Sequence, residues 1–299
     1  MSPAVEIRLL VARELRRSVR SLKGIILGII TLVGAIIASV IVVWMHGNDI
    51  EAAGSEAALD EANRQLIERG TGDAGLAAHM ASMPESLKSF LDITIWLGPL
   101  LIALLGFDGI AGELQHKAVR FWTVRSRRSS YFAGKVLGLW ALVGLVTLVL
   151  NAIVGIVAVA KGYVSPGQLA SWGTRCWLIA FVIAGAWAAI GTLISSFFKQ
   201  PIGALLTTFG VFFLLWIVNV VGIAVRAKAA FTAIQAARES GQLPVIPGMH
   251  WYEYLYPNAY ESMLLAPEAG KVFTAVGVLL GFVVVVIAGG SLLFAKRDI

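Results

Sequence analysis

The feature that most constrains this chain is a set of six segments without a single Asp, Glu, Lys or Arg: residues 24–45, 93–107, 136–160, 176–198, 201–225 and 272–295. Five of them hold 22 to 25 residues, enough to cross about 30 Å of hydrocarbon at ~1.5 Å per residue. Of the 299 residues, 58% are hydrophobic and only 14% charged, against about 25% charged in soluble proteins. A soluble fold cannot bury that much apolar surface, whereas lipid solvates it. The expected fold is therefore all-α. It is one domain over 1–299 with six transmembrane helices and an interfacial helix at 1–23. The spans fall near 24–45, 86–108, 136–160, 176–198, 201–225 and 272–295.

The second segment, with 15 residues, is too short to span alone. It extends outward through Asp92 and Lys88 to Pro84, with Ser82 as the expected N-cap and Pro84 and Glu85 in the first turn. Gly98-Pro99 then sits mid-span, where proline removes a backbone hydrogen bond and a kink is expected.

Charge sets the orientation. With the N-terminus inside, the pieces 1–23, 108–135, 199–200 and 296–299 carry 6, 6, 1 and 2 basic residues against five acids, or +10. The remaining nine basic and thirteen acidic residues give −4, and the two sum to the net +6. The split follows the positive-inside rule and places both termini in the cytoplasm. The net positive charge thus reads as topology, not as nucleic-acid binding.

The first 23 residues repeat Ile7, Val11, Leu15, Val19 and Leu22 at three- to four-residue spacing, with Arg8, Arg13, Arg16, Arg17, Arg20 and Lys23 between them. This is a basic amphipathic helix suited to an anionic leaflet. The apolar run after it is too long for a signal peptide and lacks a small-x-small cleavage site, so it reads as a retained first span. Residues 46–83 read as a helical excursion, and the alanine-rich stretch 226–240 as a continuation of the fifth helix to near Gly241. Trp251, Tyr252, Tyr254, Tyr256 and Tyr260 suit the membrane interface. Asn258 and Glu261 have capping-box spacing for a short helix ending at Pro267.

Several chemistries are disfavoured. The four histidines, His46, His79, His116 and His250, lie outside the spans, and Ser195 and Ser196 have no base in their segment, so intramembrane hydrolysis lacks its parts. There is no His-Glu-x-x-His. The one cysteine, Cys176, excludes a disulfide framework or a multi-cysteine metal site. Gly134-Lys135 is the only Gly-Lys pair, and a P-loop would need glycine where Ser129 stands. The chain is expected to be non-catalytic and to bind no cofactor or metal. Polarity inside the spans is mild. Thr207, Thr208 and Asn219 are candidate pathway positions, with ordinary helix packing the plainer reading. Gly24 with Gly28, and Gly277 with Gly281, are candidate helix-packing pairs.

The loop at 109–135 is the informative one. It is basic and polar, yet carries Leu114, Val119, Phe121, Trp122, Val124, Tyr131 and Phe132. Exposed aromatics are costly unless covered, and aromatics with arginine are typical interface anchors. Either a partner covers Phe121 and Trp122, or they lie in the membrane interface. The order Asp108, Glu113, Arg125-Ser-Arg-Arg128, Gly134-Lys135, with Tyr254-Leu-Tyr-Pro257 and the tail Phe294-Ala-Lys-Arg-Asp-Ile299, resembles the permease subunits of ABC-2 type ABC transporters. One departure is Lys117-Ala-Val-Arg120, where that family commonly has Gly-Thr-Leu.

The resemblance implies a permease of an ATP-driven exporter in a plasma (bacterial inner) membrane, set in the lipid bilayer. It would pair with a second copy or a homologous permease. Cytoplasmic ATPase subunits would hold the ATP. A short helix within 113–130 would dock on the ATPase, with Glu113 near its start, Phe121 and Trp122 as apolar contacts, and Arg125, Arg127 and Arg128 flanking. The alternatives are a secondary, ion-coupled transporter and a membrane-anchored scaffold. The sequence does not specify the cargo.

Overall fold

The computed structural model describes residues 2–55, 58, 61, 78–80, 82–124, 126–240 and 248–296, and among these there is helix and no strand. Ten α-helices are numbered here: α1 Pro3–Arg20, α2 Leu22–Ala53, α3 Glu85–Gly106, α4 Ala111–Gln115, α5 Ala118–Thr123, α6 Arg128–Ala160, α7 Thr174–Phe197, α8 Pro201–Ser240, α9 Glu261–Leu265 and α10 Ala269–Ala295. A helical turn, Pro166–Gln168, and a π-helical turn, Leu169–Gly173, lead into α7. Among the described residues, six helices are long and apolar enough to cross a membrane. Most of the expected excursion at 46–83 lies outside the described residues.

Local chemistry sets the element ends. Pro3 opens α1, Glu6 sits in its first turn and Arg17 and Arg20 in its last, each favourable to the helix dipole. Ser21 separates α1 from α2. Its N–H donates to Arg17 O at 3.0 Å, and its hydroxyl accepts the Gly24 N–H at 3.0 Å. Ser82 does not cap α3. Its hydroxyl donates to His79 O, and the helix starts at Glu85 behind Pro84.

The helices meet where aromatic rings cover glycine. Trp140 of α6 and Phe181 of α7 stack at 4.9 Å, and Trp177 stacks on Phe181 at 5.5 Å. Both indole N–H groups are satisfied across the interface, by Phe181 O at 2.7 Å and Gly144 O at 3.0 Å. A Cβ at Gly185 would lie 2.7 Å from the Trp140 ring, and one at Gly106 2.7 Å from Leu139. The expected packing pairs are different residues from these. Nothing lies within 4 Å of a Cβ built at Gly28, Gly277 or Gly281. Spacing along one helix identifies a small face, but not whether that face meets protein or lipid.

At the end of the bundle away from α1, the chain between α8 and α10 folds back among the spans. Glu253 is fully buried. It pairs with Arg226 of α8 at 2.6 Å and accepts the His250 N–H at 2.9 Å. Tyr256 and Tyr260 are buried, while Trp251 is 78% exposed. The interfacial reading of the aromatic cluster therefore does not fit Tyr256 and Tyr260, which pack inside. Asn258 does not cap α9, which starts at Glu261 without a side-chain cap. Arg175 of α7 closes the other end of α9 by donating to Leu264 O at 3.3 Å and Ala266 O at 2.8 Å.

Glu261 of this segment lies beside Asp92 of α3. Burial, then the Asp92 charge and a hydrogen bond with it, push the Glu261 carboxyl up from 4.5 to about 8, with Lys88 pulling the other way. The folded state holds this proton more tightly than the unfolded chain, so the stability it contributes is present at low pH and is lost as pH rises through about 8. Thermal unfolding in detergent should show Tm falling across that window, and Glu261→Gln should flatten the dependence. An unchanged slope in the variant would assign the effect to another group.

Candidate functional site

Where α3 ends, the chain turns through α4 and α5 into α6, and buried polar groups fix each turn. Ser195 of α7 donates to Phe107 O at 2.8 Å and accepts the N–H groups of Ile110 and Ala111 at 3.2 and 3.1 Å. One hydroxyl thus serves both the open end of α3 and the start of α4. The expected single helix within 113–130 is two short helices. They are joined at Lys117, whose φ of 56° is left-handed. That is a conformation glycine adopts freely.

Glu113 of α4 is the centre of the site and is 4% exposed. Its Oε2 accepts the Tyr131 hydroxyl at 2.7 Å. Its Oε1 accepts Lys135 Nζ at 2.7 Å and Arg17 Nη1 at 2.5 Å, with Arg13 Nη2 at 3.6 Å. Lys135, itself buried, also reaches Glu14 at 2.8 Å. Two carboxylates and three cations from α1, α4 and α6 therefore form one cluster, in which the buried Glu113 and Lys135 are paired as burial requires and the surplus positive charge sits on the partly exposed arginines.

The Gly134-Lys135 pair now has a physical reading. Gly134 and Gly138 open a shallow groove on α6 in which α1 lies. A Cβ at Gly134 would meet Leu10 Cβ at 2.6 Å, and one at Gly138 would meet Glu14 Cβ at 2.9 Å. This close approach lets Arg13, Glu14 and Arg17 reach Glu113 and Lys135. The apolar residues Leu10 and Val11 thus face α6 here.

The loop's remaining residues sort by burial. Val119, Tyr131 and Phe132 are fully buried with Ile110 and Phe294, and Tyr131 and Phe294 stack at 5.6 Å. Trp122 is half-buried beneath Arg13, whose guanidinium carbon lies 3.2 Å from its ring centroid, a cation–π contact. Phe121 is 61% and Val124 86% exposed. The Arg127 N–H donates to Glu6 at 3.3 Å, and Arg128 donates to Ala295 O at 2.8 Å, which ties the loop to the end of α10. Hydrogen bonds from Ser130 and the Arg127 N–H hold the Glu6 carboxyl below its ordinary range. Arg125 lies outside the described residues. Of the pathway positions, Thr208 is buried with its hydroxyl on Ala204 O at 2.7 Å, while Thr207 and Asn219 are half-buried. Sequence reasoning missed Ser195, Gly138, Arg13 and Arg17 as site members, because each acts only through a helix distant in sequence. No group of His, Cys, Asp and Glu suited to a metal ion occurs among the described residues.

The sequence matches the family model described as ABC-2 family transporter protein over residues 8–299. No match was found among curated proteins.

Removing Glu113 leaves Lys135 buried with one partner and two arginines without their anion. Glu113→Ala should therefore cost about 3–5 kcal/mol. Tyr131→Phe, which loses one hydrogen bond to a charged group, should cost about 1.5–3 kcal/mol. Thermal unfolding in detergent reads both, and a Glu113→Ala protein as stable as the parent would contradict the cluster's role.

Proposed function

We propose that this chain, which belongs to the ABC-2 transporter family, is the permease subunit of an ATP-driven exporter, with the end of the bundle carrying α1, α4 and α5 facing the cytoplasm. A separate ATPase subunit would hydrolyse ATP, and this chain would convert that work into movement of its spans. The reading is supported most by one observation: Phe121 on α5 and Val124 just after it stand exposed, while Val119 packs beside Tyr131 and Trp122 lies under Arg13 of the Glu113 cluster. A small apolar ridge on a rigid mount suits a groove in a partner, and displacing it would move α1, α3 and α6 together. The charge distribution of the sequence supports the orientation. The multi-pass chain would reside in a plasma membrane such as the bacterial inner membrane.

The exposed apolar face of α8, including Ile202, Leu206, Phe213 and Leu214, suits lipid or a second permease, either another copy or a homologue. Thr207, Thr208 and Asn219 remain the proposed polar positions of the path. In this reading Glu113 and Trp122 hold the mount, and Phe121 and Val124 make the contact. Arg125, Arg127 and Arg128 flank it.

Association of the reconstituted permease with its ATPase tests the assignment. A central aromatic anchor is typically worth more than ~2 kcal/mol and an exposed charge under about 1 kcal/mol. Phe121→Ala should weaken association about thirtyfold and uncouple hydrolysis from transport, while Arg127→Ala should change it less than about fivefold. Full coupling in Phe121→Ala would remove the docking role of α5.

A further inference from the structure

Pro99 lies inside α3 and has no N–H, so the carbonyl four residues earlier, Ile95 O, has no partner within the helix. Ile95 is ten residues into α3, about 15 Å from its start at ~1.5 Å per residue, where a bilayer offers no water to satisfy a carbonyl. The structure supplies a donor from elsewhere in the chain. Asn258, in the segment between α8 and α10, donates its Nδ2 to Ile95 O at 2.8 Å. The same amide accepts the Trp187 indole N–H on Oδ1 at 2.8 Å and lies 3.2 Å from the Tyr256 hydroxyl. Trp187 is fully buried and edge-on to both Phe212 of α8, at 4.5 Å, and Tyr256, at 5.5 Å. One amide side chain thus joins α3, α7 and the folded-back segment, and all its polar atoms are used.

We infer that Asn258 is a latch. It fills the place of the N–H that Pro99 lacks, and so holds the segment 256–260 against α3. Opening the bundle at this end requires α3 to give up Asn258. The C-terminal end of α3 is pinned by Ser195 to the start of α4, so a displacement of the loop helices reaches the latch along a single helix. The mid-span proline is the receptor for this contact.

The latch is tested without reference to transport. A cysteine is placed at Ala259 in the full chain in nanodiscs, where both faces meet a maleimide reagent. The native Cys176 is buried. A second protein, with its added cysteine at the exposed Ala170, reports any general change. Asn258→Leu removes the donor. Pro99→Ala restores an N–H at position 99, so Ile95 O is bonded within the helix and Asn258 is released. Each variant should speed labelling at 259 about tenfold, equivalent to ~1.4 kcal/mol, with labelling at 170 unchanged. The double variant should be no faster than either single one, because both break the same contact. Pro99→Ala removes the helix-breaking ring, and a gain in labelling at 259 with none at 170 assigns the change to the released segment and not to unfolding. This arm decides the matter if Asn258→Leu does not yield folded protein. Multiplying effects in the double variant, or unchanged labelling in Pro99→Ala, would overturn the latch. Neither result depends on an ATPase or a cargo, so the exporter reading stands or falls separately.

Discussion

The loop end of this protein depends on one buried carboxylate. Glu113 is almost entirely buried, at 4% exposure, and a lone carboxylate there would be expensive. Standing on α4, it draws its partners from two other helices, Arg13 and Arg17 from α1 and Tyr131 and Lys135 from α6. Without α4, three cations would be left with the single carboxylate of Glu14. The amphipathic N-terminal helix is therefore part of the bundle, seated in a groove at Gly134 and Gly138.

This mount explains how a short loop can act as a lever. Two helices of five and six residues have almost no stability of their own. They hold their shape because Ser195 binds the start of α4, Val119 packs among Ile110, Tyr131 and Phe132, and Arg13 covers Trp122. What is left outside is small: Phe121, Val124 and the flanking basic residues. Near the middle of α3, a proline break is filled by Asn258. The middle and the C-terminal end of α3 are thus each bound to a non-spanning segment, which makes α3 the mechanical link between them.

The spans were legible because lipid imposes a simple rule, the absence of charge over about 20 residues. The extension of the second span to Glu85, which crosses Lys88 and Asp92, was legible from Pro84 and the shortness of its apolar core. Glu113 and Gly134-Lys135 stood out only as an ordered set. Their meeting around one carboxylate could not be read, because Arg13 and Arg17 lie about 100 residues away from Glu113. The same limit hid Ser195, which looked like an idle serine, and Asn258, whose spacing to Glu261 suggested a local cap. A local hydrogen bond and a distant one compete for the same amide, and here the unpaired carbonyl of Ile95 wins. Gly28, Gly277 and Gly281 meet no other helix among the described residues of this chain; a small residue facing lipid or a second subunit has the same sequence pattern as one facing a neighbouring helix.

The central claim is that Glu113 locks α1 to the loop helices as one body. The most direct measurement is the distance between nitroxides at Ala12 of α1 and Arg120 of α5, recorded by pulsed spin resonance in nanodiscs. The parent protein should give a single narrow distribution. Glu113→Ala should broaden it, because α1 loses its charged anchor to α4 while its apolar seat on α6 remains. An equally narrow distribution in Glu113→Ala would contradict the account and show that packing at Gly134 and Gly138 holds the helix without the cluster.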